Sequence, residues 1–325
     1  MGSPRLVEPD LDFIRELKGA GGDTLKRCYQ CATCSTTCNL SNDASPFPRK
    51  EMLMASWGQT EDLMKDPDVW LCYQCNDCST RCPRGARPGD VLAAVRSAAY
   101  KKFAFPSFMG KALASAKALP LLFLIPALVM TALIFLTAPK TAGGILAFTQ
   151  PGPIDFNDFL PHKTVDAFFV AGNILIFILA AVGFLRFWRL LRSDGAPRKM
   201  SVGQAIFLTF KEIFTHSNFR KCDTNHARFI GHFLIFFGFL GGMITTGAVL
   251  LLIFLPHYME AVGMGHPHAM FDLPLTISNP IKILGILSGI ALTIGCSILV
   301  YRRWTNKDGV GANGYTDTLF LYVLF

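Results

Sequence analysis

The stretch Cys28-Tyr-Gln-Cys-Ala-Thr-Cys-Ser-Thr-Thr-Cys38 decides the fold of the first part of this chain, and its pattern returns in Cys72-Tyr-Gln-Cys-Asn-Asp-Cys-Ser-Thr-Arg-Cys82. Both stretches read C-x2-C-x2-C-x3-C. With this spacing one loop holds three irons of a [4Fe–4S] cube and sends its fourth cysteine to a neighbouring cube. The pattern therefore predicts two [4Fe–4S] clusters with exchanged fourth ligands. The first takes Cys28, Cys31, Cys34 and Cys82, and the second takes Cys72, Cys75, Cys78 and Cys38.

Disulfides and zinc are the alternatives for these cysteines. Residues 1–8 are polar and lack the apolar core of a secretory signal, so an oxidising compartment is not indicated. Structural zinc sites usually pair two separated C-x2-C knuckles without a third cysteine at the same spacing. The first motif departs from the usual pattern in one respect, because Asn39 stands where Pro83 follows the second motif.

Composition points to a membrane rather than to nucleic acid. The chain has 325 residues, enough for two domains, and a net charge of +8. Most charged residues precede Lys117 or form a few later clusters, and long apolar runs make up much of the rest. Because the basic residues flank these runs and do not form a basic–aromatic patch, nucleic acid is not expected as a partner.

Four apolar runs are long enough to span a bilayer, which takes about 20 residues for roughly 30 Å of hydrocarbon. They are Ala118–Ala138, Val165–Trp188, Arg228–Leu255 and Ile281–Tyr301. Buried helices of a soluble protein are the alternative, which four such runs in one chain disfavour. Lys and Arg cluster before the first and third runs and after the second and fourth. By the positive-inside rule the cysteine region lies in the cytoplasm, and the chain crosses the cytoplasmic (inner) membrane several times.

A fifth apolar run begins after Asp317 and stops at Phe325. Thr316 and Asp317 are typical of a helix N-cap. Since about eight residues cannot cross a membrane, we expect this span, from residue 317, to be truncated and the natural protein to continue.

Two histidines open the third run. A cap at residues 223–225 would place His226 in the first helical turn and His232 about 9 Å deeper. An imidazole in a membrane helix needs a partner, and haem iron is the candidate, which makes His232 and His226 candidate haem b ligands. The alternatives are a hydrogen bond to a neighbouring helix for His232 and simple solvation for His226. No other complete span contains a histidine, so the opposite axial ligand is expected beyond Phe325.

Other residues suggest roles without a defined pattern. Gly231, Gly238, Gly241 and Gly242 would let a porphyrin or another helix approach the third span. An outward-facing loop could move protons for a quinone or be simply polar; its titratable residues are His257, Glu260, His266, His268 and Asp272. The stretch Ser201–Phe214 has the spacing of an amphipathic helix on the cytoplasmic membrane surface, and no catalytic role is predicted for His216 at its end. Cys222 and Cys296 are expected to be ordinary thiols.

Helices are also predicted around the cysteine motifs. They are Asp10–Leu17, Arg49–Trp57 and Val91–Phe103, the last with Asp90 as its N-cap. Because the region is small, we expect it to have little core without its clusters.

A resemblance adds to these inferences. The two cysteine stretches, together with Pro46-Phe-Pro-Arg-Lys-Glu-Met52 and Arg81-Cys-Pro-Arg-Gly85, resemble the C subunits of the quinone-interacting membrane-bound oxidoreductases of sulfate reducers. The cysteine part alone resembles the C subunit of heterodisulfide reductase. The apolar part is similar to the cytochrome b subunits of heterodisulfide reductase and respiratory nitrate reductase. The resemblance covers essentially the whole chain as a fusion of these two modules.

This resemblance implies one or two haem b groups, with a haem-bearing helix that matches Arg228–Leu255. It implies electron exchange with menaquinone and pairing with two cytoplasmic flavin and iron–sulfur subunits. It further implies that the complex serves adenylylsulfate reductase in dissimilatory sulfate reduction. The chain lacks a Cys-Cys-Gly motif, so it is not expected to cleave disulfides itself.

The sequence thus predicts a mostly α protein with two parts. Residues 1–104 form a small helical dicluster ferredoxin-like domain, and residues 105–325 form a transmembrane cytochrome b-like helical bundle. The predicted function is that of an electron-transfer subunit of a quinone-linked membrane oxidoreductase, which is not catalytic alone. A haem-free membrane anchor with an iron–sulfur relay is the alternative. A transporter or sensor is disfavoured because the spans show neither broken helices nor several charges.

Overall fold

The computed structural model describes residues 8–137, 161–193, 200–221, 226–261, 275–306, 310–311 and 315–325. Every regular element of these ranges is helical, apart from an isolated bridge between Asn42 and Ser45. The prediction of a mostly α protein is confirmed.

The cysteine region consists of short helices joined by tight turns. In chain order these are α1 (Leu11–Leu17), α2 (Thr33–Thr37), α3 (Arg49–Ser56), α4 (Thr60–Lys65), α5 (Pro67–Leu71), α6 (Asp77–Thr80), α7 (Pro88–Phe103) and α8 (Ser107–Leu113). The three helices predicted here are present as α1, α3 and α7. Asp10 caps α1 by accepting a hydrogen bond from the Phe13 amide at 2.9 Å.

Helix α7 starts earlier than predicted. Its first residue is Pro88, and Asp90 lies inside the first turn, where its carboxylate accepts a 2.5 Å hydrogen bond from Arg87 Nε. The prediction that Asp90 is the N-cap is therefore wrong. The physical reason is that proline fits the first helical position, where its fixed φ suits the helix and its missing N–H is not needed.

The cysteine region has a hydrophobic core of its own, which corrects the expectation of little core. Helix α7 runs through its centre and buries Val91, Val95 and Ala99 fully. Leu17 of α1 and Met52 of α3 pack in the same cluster and are also fully buried. The expectation counted only residue number, whereas the spacing of apolar residues in α7 buries one face of the helix as far as Ala99.

Four further helices are long and apolar enough to cross a membrane, by length and composition. They are α9 (Leu119–Thr137), α10 (His162–Leu191), α12 (His226–Ala261) and α13 (Pro280–Thr305). Three of them extend beyond the predicted runs, because backbone hydrogen bonding continues into polar residues that an apolar count leaves out. The predicted caps at residues 223–225, Cys222, and the outer-loop residues His266, His268 and Asp272 lie outside the described residues; of His257 and Glu260 only the backbone is described.

Helices α12 and α13 pack closely along small residues. A Cβ added at Gly231 would lie 2.7 Å from Leu299, and one at Gly238 would lie 2.9 Å from the backbone of α13. A Cβ added at Gly241 would clash with the hydroxyl of Ser288, whereas one at Gly242 would meet nothing within 4 Å. Three of the four glycines therefore admit a neighbouring helix, which is the packing role that small residues have in membranes.

Two shorter helices also belong to residues 105–325, the part of the chain with the four long apolar helices, which we call the membrane part. Helix α11 (Val202–Thr215) begins with a capping box at Ser201 and exposes a row of large apolar side chains that includes Phe207 and Phe210. Helix α14 (Tyr315–Leu324) packs Leu321 against Cys296 of α13.

The prediction that Thr316 and Asp317 form the N-cap of the fifth run is wrong. Both residues lie inside the first turn of α14, because the helix already begins at Tyr315. An acidic side chain at that place interacts favourably with the helix dipole, which explains why the sequence there looks like a helix start.

A charge cluster joins α3 to the start of α5. Glu51 is completely buried, and Lys50 Nζ lies 3.2 Å from its Oε1 without forming a hydrogen bond. The same ammonium lies 2.7 Å from Asp66 and 3.5 Å from Asp68. Burial raises the pKa of Glu51 to about 7, whereas the carboxylates around Lys50 outweigh burial and raise the pKa of that amine. Glu51 is thus a group whose ionisation the fold disfavours.

This raised pKa gives a testable pH dependence. Because the folded pKa of Glu51 lies above its ordinary value of 4.5, its contribution to stability is complete below pH 4.5 and is lost as pH rises through about 7. We expect Glu51→Gln to match the natural chain near pH 5 and to exceed it near pH 8 by on the order of 2 kcal/mol. The measurement is thermal unfolding of the full chain, followed by cluster absorbance across this pH range.

The matched control is Glu61→Gln, which removes the same charge from an exposed position of α4. It should leave the pH profile of the natural chain unchanged. If the stability of Glu51→Gln and that of the natural chain changed in parallel with pH, the raised pKa of Glu51 would be contradicted.

Candidate iron–sulfur site and adjoining cavity

Both cysteine motifs bend the backbone at equivalent positions. Gln30 and Ala32 have φ of 59° and 67°, and Gln74 and Asn76 have φ of 50° and 68°. These residues lie two and four places after the first cysteine of their motifs. A left-handed conformation costs non-glycine residues roughly 1–2 kcal/mol each, so it persists only where the surroundings fix it. The repeated bend is typical of a loop that wraps around a bound group.

The four cysteines predicted to hold the second cluster meet at one place. A cavity of about 60 Å³ is lined by Cys38, Cys72, Cys75 and Cys78. Burial raises the pKa of the Cys38 thiol, and the nearby Cys72 and Cys75 raise it further. Cys38 comes from the first motif, so the structure brings the fourth cysteine of one run to the other run's loop.

The segment of Cys28 runs beside the segment of Cys82. Arg84 Nη2 donates a 2.9 Å hydrogen bond to the hydroxyl of Tyr29, and its guanidinium carbon lies 4.1 Å from the centre of that ring. Arg27 reaches Gly85, since a Cβ added there would lie 3.7 Å from Arg27 Nη1. Helix α2 also packs on α6. Tyr29 and Arg84 therefore join the two motifs next to Cys28 and Cys82.

The cysteine thiols of the two motifs differ from one another in exposure. Burial raises the pKa of Cys34 and raises that of Cys78 well above its ordinary value. Cys31 is exposed, and hydrogen bonds from the Thr33 side chain and amide lower its pKa. Iron binding must displace the protons of the buried thiols.

No disulfide joins the nine cysteines within the described ranges. Three acidic side chains of the described residues, Glu51, Asp66 and Asp68, have ligand atoms within 4.8 Å of one another. Lys50 already supplies that acidic group with a cation.

Two arginines hold the loop between Cys72 and Cys75. From α7, Arg96 Nη1 donates hydrogen bonds to the carbonyls of Val69 and Cys72 at 3.0 and 3.3 Å, and its Nη2 donates to the Gln74 side chain at 2.9 Å. From α12, Arg228 Nη1 donates to the carbonyl of Tyr73 at 2.6 Å and to that of Gln74. Sequence reasoning treated Arg228 only as a flanking charge and missed this contact.

Helix α11 and the residues after it also contact the cysteine region. Tyr73 donates a 3.3 Å hydrogen bond to Glu212, and the Asn39 side chain donates to the Lys221 carbonyl at 3.0 Å. Partial burial acts to raise the pKa of Glu212, but hydrogen bonds from Ser217, the Asn218 amide and Tyr73 outweigh it and lower this pKa. Glu212 is therefore a charged acceptor at the junction.

A second cavity, of about 430 Å³, separates the cysteine loop from the start of α12. Its lining combines the ligand candidate Cys72, two arginines, two histidines and several aromatic side chains: Cys72, Tyr73, Gln74, Arg96, Glu212, Ile213, His216, Phe219, Arg228, His232 and Phe236. His226 is exposed and is not among these residues. The cavity can receive a flat aromatic group with hydrogen-bond acceptors or acidic substituents.

His216 is the residue that sequence reasoning missed. Its ring centre lies 5.2 Å from that of His232, and it is 8% exposed. Its Nδ1 is buried and has no hydrogen-bond partner in the described structure. Such an orphaned polar atom in a cavity wall is typical of a site that receives a ligand. No motif in the sequence links it to a position 16 residues later.

Comparison with known proteins supports the iron–sulfur assignment. Residues 24–86 match the family described as "4Fe-4S dicluster domain". The chain therefore carries a dicluster ferredoxin domain, of the kind that binds [4Fe–4S] clusters.

Several curated relatives match the same part of the chain. The C subunit of the H(2):CoB-CoM heterodisulfide,ferredoxin reductase of Methanothermobacter marburgensis is 36% identical over 93 residues, 28% of this chain and 50% of that protein. The iron–sulfur C subunit of the CoB–CoM heterodisulfide reductase of Methanopyrus kandleri is 34% identical over 107 residues, 33% of this chain and 50% of that protein. A protein of Archaeoglobus profundus that is named for its likeness to the C subunit of heterodisulfide reductase is 31% identical over 97 residues, 30% of this chain and 50% of that protein.

The chain thus spans about half the length of the curated relatives it matches. No solved structure matches it. These relatives support an electron-transfer role for the iron–sulfur part.

Proposed function

We propose that this chain is the membrane electron-transfer subunit of a quinone-linked oxidoreductase. Electrons pass between menaquinone and cytoplasmic flavin and iron–sulfur partners through haem b and two [4Fe–4S] clusters. The observation that carries the proposal is the position of the Cys72–Cys75 loop, which is held by Arg228 at the start of a helix able to span a membrane. When bound, haem and each cluster accept and return one electron at a time.

In this proposal Cys28, Cys31, Cys34 and Cys82 hold cluster 1, and Cys72, Cys75, Cys78 and Cys38 hold cluster 2. The cavity shared by Cys38 and the second motif supports the exchange of fourth ligands. The contact of Tyr29 with Arg84 supports it for the other pair. The backbone bends at Gln74 and Asn76 position the loop, and the Arg96 and Arg228 hydrogen bonds keep it against the membrane part.

Exchanging single cysteines tests the ligand sets. Cys38 belongs to the first motif but is proposed to bind cluster 2, so we expect Cys38→Ser to disturb cluster 2. Cys82 belongs to the second motif but is proposed to bind cluster 1, so we expect Cys82→Ser to disturb cluster 1. The measurement is electron paramagnetic resonance of the dithionite-reduced full chain in nanodiscs, with each variant compared with Cys75→Ser and Cys31→Ser. Cys38→Ser should resemble Cys75→Ser, and Cys82→Ser should resemble Cys31→Ser.

The reverse pairing would contradict exchanged ligation. Cys296→Ser is the control, because that thiol is buried between α13 and α14. It should leave both signals as they are in the natural chain.

We also propose that His232 binds haem b in the second cavity. Three features of the cavity fit a porphyrin: the imidazole of His232, the orphaned Nδ1 of His216 beside it, and aromatic walls at Phe219 and Phe236. The guanidiniums of Arg96 and Arg228 line the same cavity and suit acidic substituents such as propionates.

A visible spectrum tests this assignment. We expect the natural chain in membranes to give the sharp reduced-minus-oxidised bands of haem b, and His232→Ala to lose them. His226→Ala is the matched control and should keep them, because its side chain does not line the cavity. Haem b bands of natural intensity in His232→Ala would contradict the assignment of His232 as a haem ligand. Absence of these bands from the natural chain would favour the haem-free anchor.

The remaining parts of the proposal rest on the resemblance and on charge distribution. Menaquinone as substrate, adenylylsulfate reductase as the enzyme served, and a role in sulfate respiration follow from the resemblance. A cytoplasmic position of the dicluster domain, with helix α11 lying on the inner membrane surface, follows from the placement of Lys and Arg and from the exposed apolar row of α11.

A further inference from the structure

The two cysteine loops differ in what covers them. The loop of the second motif contacts the membrane part through Tyr73, whose carbonyl binds Arg228 and whose hydroxyl binds Glu212. Asn76 donates a hydrogen bond to the Val310 carbonyl, which closes the same loop from another side. One cluster site is therefore buried at the junction with the membrane part.

The loop of the first motif is uncovered in the described part of the chain. Cys31 is exposed, and Tyr29 is 68% exposed. The hydrogen bonds of residues 28–37 stay within the dicluster domain, since their partners are local residues and Arg84. Cluster 1, as assigned above, therefore lies beside an exposed cysteine and an exposed aromatic ring.

The two sequence segments that carry the cysteines of cluster 1 are basic. Residues 24–42 and 78–89 contain no Asp or Glu. Arg27 and Arg84 are exposed. We call Arg27, Tyr29, Cys31 and Arg84 the port surface. A partner whose contact face is acidic would be drawn to it by long-range attraction.

The pairing of Tyr29 with Arg84 gives the port surface a fixed centre. The guanidinium lies 4.1 Å from the ring centre and also binds the hydroxyl, so both side chains are held while remaining exposed. Tyr and Arg are enriched at the centres of protein interfaces, where a pre-ordered side chain loses little entropy on binding.

We propose that the port surface docks the acidic face of a soluble redox protein and exchanges single electrons with it through cluster 1. This inference rests on the proposed function in that cluster 1 must be present. One electron leaves the reduced cluster, which returns to its oxidised state, and the partner's flavin or iron–sulfur cofactor takes up that electron. The membrane side of the relay is cluster 2, so the two clusters have fixed and different neighbours.

The positive charges could instead serve only to offset the negative charge of the cluster and its thiolates. The two roles differ in what they change. A charge that only offsets the cluster alters its reduction potential, whereas a docking charge alters the rate of encounter and the salt dependence of that rate.

The experiment mixes the dithionite-reduced full chain in nanodiscs with one of two oxidised probes in a stopped-flow instrument. The probes are an acidic flavodoxin and the basic cytochrome c. We expect the second-order rate with flavodoxin to fall about tenfold or more between low and high salt, as steered association does. The rate with cytochrome c should rise or stay level. Arg84→Glu should lower the low-salt flavodoxin rate at least about threefold, and Arg84→Lys should keep most of it, because charge steers the encounter.

Arg15→Glu is the matched control, since it makes the same charge change at an exposed position of α1. It should leave the flavodoxin rate unchanged. Equal effects of Arg84→Glu and Arg15→Glu, or a flavodoxin rate independent of salt, would overturn the proposal. So would an Arg84→Glu effect explained entirely by a changed cluster potential, measured by redox titration of the same samples. The cluster signals are recorded in each variant, so loss of docking and loss of a cluster are separate results.

Discussion

The hydrogen bonds from Arg228 to the carbonyls of Tyr73 and Gln74 are the contact on which the rest of this structure depends. They join the loop of the second cysteine motif to the first turn of a membrane-length helix. A guanidinium is suited to this task because it stays charged and presents several donors in a fixed plane. Its cation also lies 5.3 Å from the ring of Phe219, which limits its movement.

The dicluster domain combines a rigid frame with strained loops. Helix α7 buries Val91, Val95 and Ala99 and also supplies Arg96 to the cysteine loop, so one helix serves both the core and the site. The left-handed residues of the loops lie outside that core and add strain that bound iron would offset. This division explains how a small domain can keep its fold while holding cofactors near its surface.

The cysteine spacing and the four apolar runs could be predicted from sequence because each is a local pattern. Positions such as Arg228 and His216 could not, since their contacts join residues far apart in the chain. Arg228 looked like a charge that sets membrane orientation, and His216 looked like the end of a surface helix. The start of α7 was misplaced because Asp90 and Pro88 both signal a helix start, and proline is the earlier of the two.

The central claim is that the dicluster domain holds two [4Fe–4S] clusters close to each other. Mössbauer spectroscopy and iron analysis of the anaerobically purified full chain test it most directly, joined with the paramagnetic spectrum of the reduced protein. The account predicts about eight irons per chain, all in [4Fe–4S] form, and a reduced spectrum broadened by interaction between two clusters. Zinc in place of iron, or about four irons with the spectrum of one isolated cluster, would contradict it.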